Sequence, residues 1–77
     1  MSAERTAGDV DRILGERLRA RRMEVGMSQE QLAESLGITF QQVQKYEKGV
    51  NRMAASRLLD CARALKIPVA DFFEGLD

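Results

Sequence analysis

The stretch that most constrains this chain is Ser28 to Gly49, SQEQLAESLGITFQQVQKYEKG. Ser28 with Gln31, and Thr39 with Gln42, each have the spacing of a capping box. In that arrangement a hydroxyl accepts from the first helical turn while the amide three residues on reaches back. Two short helices follow, one over Gln29 to Leu36 and one over Phe40 to Lys48. Leu32, Ala33 and Leu36 form the inward stripe of the first; Val43 and Tyr46 do so in the second. Gly37 lies between them, where a left-handed backbone costs least without a Cβ. Ile38 plugs the gap, and Ala33 keeps the crossing close.

A pair of capped helices joined through one glycine is a helix-turn-helix. The second helix is unusually polar outside its stripe, as expected if its outer face reads something. The charge distribution points the same way. Between Arg17 and Arg52 there are seven basic residues (Arg17, Arg19, Arg21, Arg22, Lys45, Lys48, Arg52) and four acidic ones (Glu24, Glu30, Glu34, Glu47), although the whole chain is neutral. A locally basic face on a neutral protein suits selective phosphate contact better than indiscriminate binding.

The 77 residues, 44% of them apolar, support one small domain with a single core. Residues 1–8 read as a disordered tail and residues 9–77 as the folded domain. Asp9 or Asp11 caps a first helix running to about Val25, with Ile13, Leu14, Leu18 and Val25 inward, and Gly15 weakens it. Arg17 and Arg21 fit either a solvated face or phosphate contact. Arg22 falls near the inward stripe, so it needs a partner, and Glu47 is the candidate for a structural ion pair. A further helix spans about Ala54 to Lys66, with Leu58, Leu59, Cys61, Ala62 and Leu65 inward. Pro68 opens a last helix from Val69 to about Glu74. Val69, Phe72, Phe73 and Leu76 are too many apolar groups for so short a segment, and those left over would form a partner-binding patch.

Other classes find little support. The chain has no histidine and one cysteine, so an internal disulfide is impossible. The usual nucleophile–base pairs are missing, and no cofactor or metal is expected. Cys61 reads as a buried small hydrophobe. No run reaches the ~20 apolar residues of a membrane span, so a soluble, cytoplasmic, non-enzymatic protein is expected.

With these motifs placed, the chain resembles the lambda-repressor-like helix-turn-helix family (XRE, Cro/cI-type) from about Leu14 to Leu76. LGERLRARRMEVGMSQEQLAESLGITFQQVQKYEKG and LLDCARALKIPVADFFEGL carry the likeness. Met53 stands where many members have proline, and Ala54 offers no side-chain cap for the fourth helix, a task left to Asn51. The resemblance implies an all-α, five-helix DNA-binding domain that acts as a homodimer on a pseudo-palindromic operator in double-stranded DNA, most commonly as a repressor. It places Thr39, Phe40, Gln41, Gln44 and Lys45 against bases. Gln29, Lys48, Asn51 and Arg52 would lie against phosphates, Gln29 also bracing the recognition helix.

The chemistry agrees: glutamine pairs with adenine N6 and N7, and lysine donates to guanine O6 and N7. Phe40 suits either a thymine methyl or a staple inside the turn. Lys48 suits phosphate or the helix C-terminus, and Gln42 suits the cap. The dimer contact would fall on Val69, Phe72, Phe73 and Leu76. Taken as a whole protein, the chain leaves no room for a sensing domain, so control would rest on concentration, dimerisation or a partner. The alternative reading is a protein-interaction module of antitoxin or inhibitor type, with that patch as its working surface.

Overall fold

Both central helices start at hydroxyl caps in the computed structural model, which describes residues 7–76. Ser28 Oγ accepts from the Gln31 amide at 3.0 Å while Gln31 Oε1 accepts from the Ser28 amide at 2.8 Å, a complete capping box. Thr39 Oγ1 accepts from the Gln42 amide at 3.1 Å. The return bond from the Gln42 side chain does not form, so the second expected box is a simple cap. These caps open α2 (Gln29–Leu36) and α3 (Phe40–Glu47). Gly37 joins them at φ 70°, ψ 32°, and the Ile38 amide bonds back to Ala33 O at 3.0 Å.

The first helix, α1 (Ala7–Glu24), begins two residues before the expected boundary. Ala7 and Gly8 are therefore helical; the rest of the expected tail, residues 1–6, lies outside the described residues. Val25 follows the helix and is exposed, not inward. The last α-helix, α4 (Ala55–Leu65), has Ala54 as its N-cap with no side-chain bond, so Asn51 does not supply the expected cap. Leu59, assigned inward by spacing, is 38% exposed. The C-terminal segment Val69–Phe73 is a 3-10 helix, a tighter coil than the α-helix expected. All described secondary structure is helical: four α-helices and this 3-10 turn.

The core gathers one stripe from every element: Leu14 and Leu18, Leu32 and Ala33, Val43 and Tyr46, Leu58, Cys61, Ala62 and Leu65, and Phe72. Burial of each large apolar side chain contributes roughly 1.5–3 kcal/mol. Cys61 is fully buried, and that burial pushes its thiol up from 9.0 to about 11.

The backbone of α1 comes close to the end of α3. A Cβ on Gly15 would stand 2.2 Å from the Tyr46 carbonyl oxygen, and one on Gly49 would stand 2.6 Å from Arg12 Cα. Two glycines on facing segments thus let backbone meet backbone. Gly15, expected only to weaken α1, is what allows α3 to seat against it.

Candidate nucleic-acid interface

The two faces of α3 divide sharply. Val43, Tyr46 and Glu47 are buried, whereas Gln41, Lys45 and the adjoining Thr39 and Lys48 are exposed. Thr39, the exposed N-cap, stands at the N-terminal end of α3. Gln44 is half-buried on the flank toward α2. Phe40 is also half-buried and packs against the core, the staple geometry rather than a fully exposed ring.

Beneath α3 sits a polar cluster enclosed by three helices. Arg22 Nε donates to Glu47 Oε2 at 2.6 Å, and its terminal nitrogens donate to Glu47 Oε1 at 3.2 Å and Met27 O at 2.8 Å. The Arg22 and Glu47 side chains are only 10% and 2% exposed. Gln29 Nε2 donates to Glu47 Oε1 at 2.9 Å, and Gln44 Nε2 donates to Gln29 Oε1 at 3.4 Å. The chain of bonds runs from α1 through the end of α3 and the start of α2, and back to the middle of α3. Among the described residues no buried side-chain nitrogen or oxygen lacks a partner. A satisfied buried pair is costly to break, because removing one member strands the other's charge.

The backbone-contact candidates are less uniform. Arg52 is exposed and its Nε donates to Asp11 Oδ2 at 3.3 Å, which ties the loop after α3 to α1. Asn51 is half-buried in that loop. Lys48 is the C-cap of α3, where a cation complements the helix dipole.

Three arginines bond in ways the sequence did not reveal. Arg17 donates to Phe72 O at 3.0 Å and Glu74 O at 2.7 Å. Arg21 Nε donates to Leu65 O at 3.1 Å. Both therefore hold the C-terminal segment and the end of α4 on α1, a third use beside the solvated face and phosphate contact expected of them. Arg57 donates to Leu36 O at 3.2 Å and so closes the end of α2. An arginine that serves a distant carbonyl leaves no local signal, since the acceptor belongs to every residue type.

The C-terminal patch is smaller than expected. Phe72 is 1% exposed and belongs to the core, because a 3-10 turn directs it inward while Phe73 stays 44% exposed. Phe72 is thereby removed from any intermolecular contact. Val69 is exposed and Leu76 half-buried. Val69 and Phe73 line an apolar groove of about 570 Å³ together with Val10, Leu14, Met53 and Leu58.

Comparison with known proteins agrees with this geometry. A helix-turn-helix family model matches residues 18–72. An uncharacterized HTH-type transcriptional regulator of Sinorhizobium medicae is 60% identical over 65 residues, covering 84% of this chain and 47% of its own length. An uncharacterized transcriptional regulator from the ATPase CF(0) region of Rhodospirillum rubrum is 49% identical over 76 residues, covering 99% of this chain and 70% of its own. The chain thus spans about half the length of the first of these relatives. Among solved structures, the clp gene regulator ClgR of Corynebacterium glutamicum superposes with a TM-score of 0.81 at 26% identity, covering 83% of each chain. The restriction-modification controller protein C.AhdI of Aeromonas hydrophila gives 0.78 at 34% identity, over 84% of this chain and 97% of that one. A capped helix pair, a buried ion pair behind it and matches over most of its length leave one assignment: the chain belongs to the lambda-repressor-like (XRE) helix-turn-helix family.

Proposed function

We propose that this chain is the sequence-specific DNA-binding domain of a transcriptional repressor, which works as a homodimer and lays α3 in the major groove. The observation that carries the reading is the division of α3, with Val43, Tyr46 and Glu47 buried and Gln41 and Lys45 exposed. Its eight residues make a rod about 12 Å long, comparable to the roughly 12 Å width of the groove. Gln41, Gln44 and Lys45 supply the donors and acceptors that base edges demand, Thr39 sits at the tip, and Phe40 offers its exposed edge. Gln29, Lys48, Asn51 and Arg52 flank them and fix the register through phosphates, which carry affinity but little sequence information.

Dimerisation rests on Val69 and Phe73, with Leu76 beside them and the apolar groove behind. Repression needs nothing further from the domain than occupancy of a site overlapping a promoter. The no-cofactor expectation carries into this reading. Among the described residues, no group of three His, Cys, Asp or Glu is arranged to hold a metal ion, and no helix is long and apolar enough to cross a membrane.

The test is selection of binding sites from random duplex DNA with the purified chain. A two-fold-symmetric motif with half-sites about one helical turn apart is expected; no enrichment over random sequence refutes the reading. Sedimentation of Phe73→Glu tests the dimer contact, since a folded variant that stays dimeric removes Phe73 from it. Placing the selected site across a reporter promoter separates repression from activation.

A further inference from the structure

Resting on the DNA-binding reading, we propose that Asp11 is a positioning residue for DNA: its carboxylate holds Arg52 by Nε and so readies the terminal fork of that guanidinium for a backbone phosphate. Asp11 lies in the second turn of α1, inside the helix and not at its cap, and its side chain is only 14% exposed. It shares the lining of the apolar groove with Val10, Leu14, Met53 and Leu58. A carboxylate in such surroundings needs a donor or a cation. The group that meets it is Arg52, whose Nε donates to Asp11 Oδ2 at 3.3 Å.

The backbone sets up this meeting from both sides. The Val50 and Asn51 amides bond to Lys45 O at 3.0 and 3.4 Å, which folds the chain after α3 back onto that helix. Gly49 packs so tightly on α1 that a Cβ there would stand 2.6 Å from Arg12 Cα, one residue from Asp11. The main chain leading to Arg52 is thus placed by the recognition helix, and its side chain is held by α1. Among the described residues the contact uses Nε, which leaves the terminal N–H groups, the fork that grips phosphate bidentately. The Arg52 side chain is 66% exposed, so that fork is open to solvent. Asp11 repels DNA as any anion does, but the guanidinium stands between the two and solvent screens separated charges. Order is the larger contribution. Immobilising a long side chain on binding weakens affinity by about two- to tenfold, and a side chain already held avoids part of that loss.

The test is a double-mutant cycle, read as binding to the selected site and to a scrambled duplex of the same length. Arg52→Ala should weaken both duplexes alike and reduce the salt slope by about one. Asp11→Ala should weaken both by about two- to tenfold and leave their ratio unchanged. Asp11→Asn, which keeps an acceptor but not the charge, should act in the same direction and by less. Once Arg52 is alanine, Asp11→Ala should no longer weaken either duplex.

Tighter binding by Asp11→Ala would mean that the carboxylate competes with DNA for Arg52, and it overturns the proposal. Unchanged affinity overturns it too, as does an equal loss with and without Arg52, which marks a general effect on the fold. An Arg52→Ala protein that binds like wild type removes Arg52 from the interface and the proposal with it, while the regulator reading stands. Failure of wild-type protein to enrich any site removes that reading as well. Circular dichroism melts establish that the variants are folded, and Asp11→Asn carries the cycle if Asp11→Ala does not fold.

Discussion

Gly15→Ala should destabilise this domain even though alanine is the better helix former. In an open helix the change gains about 1 kcal/mol. At this site the new Cβ would lie 2.2 Å from Tyr46 O and 2.9 Å from Glu47 O, where ordinary contact begins at 3.4 Å. The end of α3 would have to retreat by about 1 Å, and its neighbours are backbone atoms that cannot rotate away. Glu47 lies on that segment, so its 2.6 Å bond to Arg22 lengthens with it. Overpacking of this kind costs about 1–3 kcal/mol, and weakening a charge-assisted bond adds about 1.5–3 kcal/mol at most. After the gain in helix propensity the net loss is about 1.5–5 kcal/mol, or a fall of at least about 6 °C in melting midpoint for a domain of this size. Thermal and urea unfolding followed by circular dichroism would measure it, with Gly8→Ala, at an exposed position of the same helix, as the control. A Gly15→Ala protein as stable as wild type would show that α1 and α3 do not meet as described.

Glu47→Ala should cost about 3–5 kcal/mol in urea unfolding, because Arg22 would be left buried and unpaired; a loss below 1 kcal/mol would mean that water reaches the arginine. Phe72→Ala should lose about 3–5 kcal/mol and Phe73→Ala far less, a contrast that equal losses would overturn. Cys61 should resist thiol reagents in the native state and react only on unfolding. Its folded-state pKa of about 11 lies above the ordinary 9.0. The folded chain therefore holds this proton more tightly, and the associated stability is full below pH 9 and lost as pH rises toward 11. Cys61→Ala should lack that part of the alkaline decline in melting midpoint.

Much of the fold is written locally. Ser28, Gly37 and Thr39 mark helix ends through bonds that span three to five residues, and such signals survive without tertiary knowledge. The Arg22–Glu47 contact was legible for another reason: an arginine near an apolar stripe has to find an anion, and few were available on facing helices. What the sequence concealed depends on distant backbone. Gly15 looks like a weak point until Tyr46, 31 residues later, is seen to press against it. Arg17 and Arg21 look like a solvated face or phosphate ligands because carbonyl acceptors have no sequence signature. Phe72 and Phe73 are adjacent and alike, and only the 3-10 geometry decides which goes inward. The polar outer face of α3 was visible as leftover polarity, whereas the bonds tying Gln44 to Glu47 through Gln29 were not, because glutamines give no hint of which end is engaged.

The division of α3 bears on how such a domain acquires new targets. Residues exposed on a helix can be exchanged at a cost within about 0.5 kcal/mol, so Gln41 and Lys45 are free to drift and, on the proposed reading, the operator with them. Gln44 is not equally free, since its partner Gln29 is shared with the pair that holds three helices together. Divergence in specificity should therefore run ahead at two positions and lag at the third. An engineer retargeting this scaffold would randomise Gln41 and Lys45 first, and would change Gln44 only together with Gln29.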